Sequence, residues 1–465
     1  MTGSSLTLAL FLLALPCAGA GASTTADVDA SVDRFINAEM SRSHIPGAAV
    51  AVISEGKLVK LKAYGIANLE SGALATVTSA FQIASATKLY TSILLMDQVA
   101  QGTISLDAPI STYLGKVPPA WSEVTVRQLA SHVSGMAPAP PNASITSLDD
   151  ALALAMKVPL ASAPGTTNAY GSDDFTVLTA VLERASGSPF QHLLHARISK
   201  PLALSTTRFD NARLDGPHIV LTMDELPGRV ATYEWKNGVQ QRYAFLYPTY
   251  TYAAGGLFSS ITDMAAFVGA VLDERLLVAD LREQMWKPVT LSNGKAGGFA
   301  TGWTVGLEGG RRKVGHSGGP ALSDVVVYPD DKLAVIVLTN QRKLYPNLAQ
   351  RVARHYLPPH SFTGSPAIPD DDPALATRLA SIGAALSRGQ APESAFAASA
   401  RPDLAQINEW LQLRLGGLPT PSNFELLETA PLRVYRARHG NEGHYLWKFK
   451  LDAQGLIEEV DVTDE

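Results

Sequence analysis

The sequence predicts an α+β fold, and three observations carry that prediction. Short β-type runs stand at both ends of the stretch from Val28 to Leu357: Ala48 to Ile53 and Leu58 to Tyr64 early, then Trp303 to Leu307, Lys313 to His316, Asp324 to Tyr328 and Leu333 to Leu338. Residues 103 to 250, between them, read as helices and irregular loops. A proline-rich stretch then precedes a smaller run of helices followed by strands. The expected architecture is a sheet built from both ends of one large domain and flanked by helices, with a helical insertion and a small C-terminal α+β domain. The boundaries read as 23–357, a linker at 358–372, and 373–465.

The first 22 residues stand apart. Leu6 to Leu15 is a continuous apolar run followed by Ala18-Gly19-Ala20-Gly21-Ala22, the h-region and cleavage region of a signal peptide. Cleavage places the mature chain outside the cytoplasm, secreted or periplasmic. The only cysteine, Cys17, lies in this segment. Pro16 and Leu15 before it speak against a lipidated first residue, and the mature chain is left without thiol chemistry. No later run is long enough to insert the mature chain stably in a membrane. The chain has 465 residues, 46% hydrophobic, with 38 basic and 43 acidic side chains well mixed. With no basic block, nucleic acid is not an expected partner. The sequence does not set the oligomeric state.

Along the chain, Asp27 to His44 places Val28, Val32, Phe35, Ile36 and Met40 on one helical face, and Pro46-Gly47 stops it. Glu55-Gly56 joins the first two strands as a hairpin. The helix after Ser85 runs to Gly102. Val124 to Leu129 opens another, ended by Ser131-His132-Val133-Ser134-Gly135. Ser172 to Ala185 turns Phe175, Leu178, Val181 and Leu182 inward and ends at Gly187. Thr262 is the expected N-cap of a helix through Leu272, and Asn347 to Tyr356 closes the large domain. In the small domain Asp372 and Pro373 start a helix bearing Leu375, Leu379, Ile382 and Leu386. A second helix carries Leu404, Ile407 and Leu411. Strands follow at Phe424 to Leu427, Leu432 to Ala437, Tyr445 to Leu451 and Leu456 to Val462.

The chemistry centres on Ser85-Ala86-Thr87-Lys88. A hydroxyl and an amine three residues apart share a face only on a helical backbone, where they form a nucleophile with an adjacent base. The spacing alone is cheap, because Ser54/Lys57 and Ser292/Lys295 repeat it in turns. Only the middle copy opens an apolar helix, whose first-turn N–H groups favour developing negative charge. Two more features supply what a serine nucleophile needs. Tyr170, in the polar loop Pro164 to Ser172, is a phenol able to shuttle a proton beside a cation. His316-Ser317-Gly318-Gly319 ends a strand: its small residues let a substrate backbone lie alongside, and the Gly319 N–H can pair with that of Ser85 as an oxyanion hole. No metal site or other cofactor is expected: His132, His192, His195 and His316 are scattered without acidic partners at ligand spacing.

Taken in order, Ser85-x-x-Lys88, Tyr170 and His316-Ser317-Gly318 resemble the serine β-lactamase and penicillin-recognising hydrolase superfamily. Within it the similarity is to the class C β-lactamase, DD-carboxypeptidase, D-aminopeptidase and β-lactamase-like esterase branch. Val124 to Gly135, Ala254-Gly255-Gly256-Leu257 and Val335 to Asn340 also look like family segments. The resemblance covers about residues 28 to 357. It implies an antiparallel sheet flanked by helices beside an all-helical lobe, with the site in the cleft between them. It implies Ser85 as acylated nucleophile, Lys88 as neighbouring base or electrostatic partner, and Tyr170 as second proton-transfer group. His316, Ser317, Gly318 and Gly319 would face the substrate.

Two departures matter. Tyr170-Gly171-Ser172 replaces the family's Tyr-x-Asn, leaving Ser172 as a shorter substrate-binding group; Tyr345-Pro346-Asn347 has the pattern but falls out of order. His316-Ser317-Gly318 replaces Lys-Thr-Gly, exchanging an ammonium for an imidazole whose charge is expected to vary near neutral pH. Both changes favour an esterase or D-peptidase over a true β-lactamase. The expected partner is a small-molecule or peptide substrate. The competing reading is a catalytically weak relative that binds cell-wall or peptide ligands.

Overall fold

The computed structural model describes residues 25–140, 145–211, 213–215, 220–308, 310–319, 322–342, 348–358, 362, 364–401, 404–415, 418–440 and 443–464. The first 22 residues with Cys17, expected as a signal peptide, and Tyr345-Pro346-Asn347 lie outside them.

Helix α1 (Thr25–Arg42) leads into β1 (Gly47–Ser54) and β2 (Lys57–Asn68), joined by Glu55 and Gly56 at φ of 49° and 73°. Two positive φ values are what a two-residue hairpin turn demands. β3 (Ala73–Leu74) forms the edge beyond β2. The chain returns to this sheet only after the helical insertion, through β6 (Thr304–Glu308), β7 (Arg311–Gly318), β8 (Ser323–Tyr328) and β9 (Leu333–Thr339). The seven strands run β6-β7-β8-β9-β1-β2-β3, antiparallel throughout. The central pair β1 and β9 is apolar on both faces because both faces are covered. Val50, Val52, Val335 and Val337 meet Val32 and Ile36 of α1 and Leu348 and Val352 of α5 (Leu348–Ala353). Ala49, Ala51, Ile336 and Leu338 face Met264, Phe267 and Val268 of α4 (Ile261–Leu272). The N-cap of α4 is Ser260, whose hydroxyl accepts the Asp263 N–H; Thr262, the residue expected there, donates to the Val77 carbonyl instead.

The insertion is built around α2 (Thr87–Ala100) and α3 (Ser172–Ser186). Leu89, Tyr90, Ile93, Leu94, Leu95 and Met96 are all buried, so α2 is covered on every side. It sits where the sheet and the helical lobe meet. The loop-rich reading of residues 103 to 250 missed a hairpin, β4 (Thr232–Lys236) and β5 (Val239–Tyr243). Its Asn237-Gly238 turn, φ 53° and 78°, is a sequence signal for such a hairpin. Among the described residues no helix is long and apolar enough to cross a membrane.

The C-terminal part has its own four-stranded antiparallel sheet: β10 (Ser422–Glu428), β11 (Arg433–Arg438), β12 (His444–Leu451) and β13 (Ile457–Asp464). α6 (Pro373–Leu386) and α7 (Leu404–Leu415) complete a separate core with Leu379, Leu386, Leu411, Tyr435, Trp447 and Phe449. The proline-rich stretch before α6 is tied to this sheet. Ile368 N–H donates to the Leu426 carbonyl at 2.8 Å, and Arg433 pairs with Asp370 at 2.6 Å.

Candidate active site

The backbone reaches Ser85 through a strained residue. Buried Ala84 has φ of +47°, a left-handed conformation that non-glycine residues adopt at a cost of about 1–3 kcal/mol. It turns the chain out of the two-residue ladder Phe81–Gln82 into a 3-10 turn, Ala84–Ala86, that runs straight into α2. Ser85 is half-buried at this N-terminal turn. Thr87 pins the turn, its hydroxyl donating to the Ala84 carbonyl (2.6 Å) and accepting the Leu257 N–H (3.3 Å).

One helical turn on, Lys88 is fully buried. Its ammonium donates to the Tyr170 hydroxyl oxygen at 2.9 Å and to the Ala254 carbonyl at 2.7 Å. It also lies 4.9 Å and 5.1 Å from the ring centres of Tyr170 and Phe175, the desolvated cation–π geometry that holds an ammonium. Because the phenol oxygen accepts from Lys88, its own proton is left to donate elsewhere. Two residues far apart in sequence thus converge on the face of α2 that Ser85 heads.

β7 forms the opposite wall. β6 pairs with it only as far as Gly315, so the edge at His316-Ser317-Gly318 is open on that side. On its other edge β8 pairs through Gly318. Gly318 is packed against the turn that carries Ser85: a Cβ there would lie 1.9 Å from the Ile83 carbonyl oxygen. That oxygen also accepts the Ser323 hydroxyl at 2.7 Å, which laces the sheet to the residue two before Ser85. Gly319 follows as an exposed residue.

The structure changes the reading of two predicted substrate-facing groups. Ser317's hydroxyl donates to Asp324 at 3.0 Å, whose other oxygen accepts the Ala349 N–H. Its side chain is therefore engaged with β8 and α5, and only its backbone lines the edge. His316 is 5% exposed, and burial with the nearby Lys88 charge pushes its pKa down to about 3. The imidazole is neutral across the physiological range, where a solvent-facing histidine would titrate. Its Nδ1 donates to the Ser317 carbonyl at 2.6 Å, so Nε2 is an unprotonated acceptor, buried without a partner. Ser172 is exposed at the first position of α3.

Sequence reasoning missed the group beneath Tyr170. In the sequence His132 reads only as one of several scattered histidines without metal-ligand spacing. Its ring lies 4.6 Å from that of Tyr170 and 4.9 Å from that of Phe299, which itself stacks on Tyr170 at 5.4 Å. Nδ1 is 2.9 Å from Asp174, and the other Asp174 oxygen accepts the Ser134 hydroxyl. Burial pushes Asp174 up to about 8 and holds His132 well below its ordinary value. Both shifts run toward the uncharged forms, a protonated Asp174 and a neutral imidazole, because the site excludes water. The available signal was His132 within the segment 124–135. A cavity of about 730 Å³ between the β1–β2 turn, α4 and Trp286 touches none of these residues.

Comparison with known proteins bears on this geometry. The sequence model of the Beta-lactamase family matches residues 32–357. The chain belongs to that family. It is thereby placed in the serine β-lactamase and penicillin-binding-protein-like superfamily. Over 177 residues it is 29% identical to a "Beta-lactamase" of Escherichia coli K12, covering 38% of this chain and 47% of the relative. Over 342 residues it is 22% identical to "Protein flp" of Staphylococcus aureus, covering 70% of this chain and 66% of the relative. The chain thus spans half to two thirds of those relatives. Among solved structures, FmtA from Staphylococcus aureus superposes with a TM-score of 0.59 at 20% identity, over 70% of this chain and 88% of FmtA. A D-stereospecific amidohydrolase from Streptomyces sp. gives 0.56 at 22%, over 70% and 97%. SurE gives 0.62 at 20% over 95% of this chain and 99% of SurE, so the likeness in fold extends past residue 357. The β-lactamase/transpeptidase-like fold expected from the sequence is the fold observed.

Proposed function

We propose that this protein is an exported serine hydrolase that works through an acyl-enzyme on Ser85. The observation that carries the reading is the 2.9 Å contact between the buried Lys88 ammonium and the Tyr170 phenol, beside the turn that presents Ser85. In the first half-reaction, with the Lys88–Tyr170 pair carrying one proton fewer than an ammonium plus a phenol, Ser85 Oγ attacks the substrate carbonyl carbon and yields its proton to that pair. The N–H groups of Ser85 and Gly319 receive the developing oxyanion. Tyr170 returns the proton to the departing alcohol or amine as the C–O or C–N bond breaks. Water then repeats the sequence on the acyl-enzyme and frees Ser85.

The substrate we infer is an ester, or an amide or peptide bond next to a D-residue. Two features support this. Neutral, buried His316 stands where the family's Lys-Thr-Gly has an ammonium, so the strand offers no positive charge there to a free carboxylate. The structural likeness to a D-stereospecific amidohydrolase, and to SurE, solved also with D-Leu, favours D-configured groups. Export is inferred from the apolar run Leu6 to Leu15 and the small residues after it.

The test is labelling of the folded protein with a fluorophosphonate and with a fluorescent penicillin, using Ser85→Ala as control. A Ser85-dependent adduct is expected. No such adduct with either probe overturns the enzyme reading in favour of a binding protein. Penicillin labelling with slow release points to the peptidase branch, and fluorophosphonate labelling alone to the esterase branch. Short acyl esters, D-amino acid amides and a chromogenic cephalosporin then rank the substrates.

A further inference from the structure

Tyr170 has the least secondary-structure support of the three reactive side chains. Lys88 rides on the buried helix α2 and Ser85 on the 3-10 turn that leads into it, whereas Tyr170 is 43% exposed in the loop before α3. Its phenol must nevertheless stay within hydrogen-bond reach of Lys88 for a proton to pass. His132 touches this loop on both sides of the tyrosine. The His132 carbonyl accepts the Ala169 N–H at 2.9 Å and the Asn168 side-chain amide at 3.2 Å. Its Nδ1 accepts the Gly171 N–H at 3.4 Å, and its ring packs on the tyrosine ring between them.

His132 is itself fixed on every side. It is 1% exposed and holds φ of +55°. Phe175 and Phe299 lie 5.2 Å and 4.9 Å from its ring, and Asp174, itself held by the Ser134 hydroxyl, anchors Nδ1. Asp174 belongs to α3, the helix that Tyr170 precedes, so one buried pair ties the loop, the helix and the 131–135 segment together. The Lys88 ammonium and the Asp173 carboxyl group, next to Asp174 in α3, act electrostatically on this pair. Such backbone strain, over-determined by its surroundings, is where proteins hold functional geometry.

We propose that His132, seated by Asp174 and Ser134, is a positioning residue that sets the Tyr170 phenol over Lys88, acting on the reaction through that phenol without touching substrate. The inference rests on the hydrolase reading for its effect on rate and on geometry alone for its effect on Tyr170.

Two measurements test it on the full chain. In the first, His132→Asn is compared with the parent. Asparagine tolerates a left-handed backbone and still reaches Asp174, so the fold is kept while the ring is lost. Loss of the platform is expected to slow ester turnover and fluorophosphonate acylation of Ser85 by about 10²-fold through kcat, with KM and Tm close to the parent. Asp174→Asn, isosteric with the protonated acid, is expected to keep a rate near the parent's, and Asp174→Leu to lose it. A folded His132→Asn protein within twofold of the parent rate overturns the proposal.

In the second, 3-fluorotyrosine is incorporated at position 170 and its fluorine resonance recorded. His132→Asn is expected to shift and broaden the signal, and an unchanged resonance overturns the proposal. This readout does not depend on turnover. A parent that takes no adduct refutes the hydrolase reading, and the fluorine signal still decides whether His132 places Tyr170.

Discussion

Replacing Gly318 by alanine puts a methyl carbon 1.9 Å from the Ile83 carbonyl oxygen and 2.4 Å from the Ser323 hydroxyl, where real contacts essentially never fall below 3.0 Å. The hydroxyl can rotate away. The carbonyl cannot, because the Ile83 N–H is held by the Leu257 carbonyl at 2.9 Å and its own oxygen accepts the Ala86 N–H at 3.1 Å. Relief therefore requires β7 to retreat from the Ser85 turn by about 1 Å, the shortfall from the contact limit. Overpacking of this kind costs about 1–3 kcal/mol. A misplacement of ~1 Å between reacting groups costs about 10²-fold in rate, or ~2.7 kcal/mol of barrier. The assay is the second-order rate of fluorophosphonate labelling of Ser85 together with Tm. Gly306→Ala in the exposed edge strand β6, where a Cβ meets nothing within 4 Å, is the control. Gly318→Ala should lower both quantities and Gly306→Ala neither. A Gly318→Ala protein with the parent's rate and Tm would refute the packing argument.

Tyr170→Phe removes the phenolic oxygen but keeps the ring against His132 and Phe299. It should slow acylation by about 10²- to 10⁴-fold at unchanged Tm; a rate near the parent's shows that the phenol carries no proton. Lys88→Met takes away the buried cation and its two hydrogen bonds and should abolish Ser85 labelling, which mass spectrometry of the intact chain measures. His316 gives a pH prediction. Its folded pKa of about 3 lies below the ordinary 6.5, so between those values the unfolded chain binds a proton that the folded chain refuses. Its contribution to stability is therefore present above pH 6.5 and lost as pH falls, by at most about 1.4 kcal/mol per unit. Asp174, raised to about 8, and Asp324, raised to about 6, act with the opposite sign, losing stability as pH rises. Tm measured from pH 6.5 to 4 should fall less in His316→Gln than in the parent; parallel curves would show that His316 is not held neutral.

Legibility in the sequence followed the range of the interactions involved. The β1–β2 hairpin turn, the Asp372–Pro373 start of α6 and the alternating strand Tyr445 to Leu451 are written in local chemistry, and the structure has them within a residue or two, although β2 runs four residues past Tyr64. The N-cap of α4 was misassigned because Ser260 and Thr262 are equally suitable locally; a contact to Val77 decides between them. The β4–β5 hairpin was overlooked although Asn237-Gly238 marks it. Ser317 was read as substrate-facing because its neighbours are, yet strand alternation sends its side chain to the other face.

By itself the sequence determined the Ser85–Lys88 turn, the order of the three motifs, and a sheet made from both ends of the chain. Each follows from local spacing: Ser85 and Lys88 share a helical face whatever surrounds them. Only the tertiary structure decided what those residues experience. Burial between α2, α3 and β7 makes His316 and His132 neutral, because a charge costs most where water is excluded. The same packing brings Tyr170 onto Lys88 and His132 beneath Tyr170 from distant parts of the chain. No local pattern encodes such a contact, since it exists only once the helical insertion has closed against the sheet.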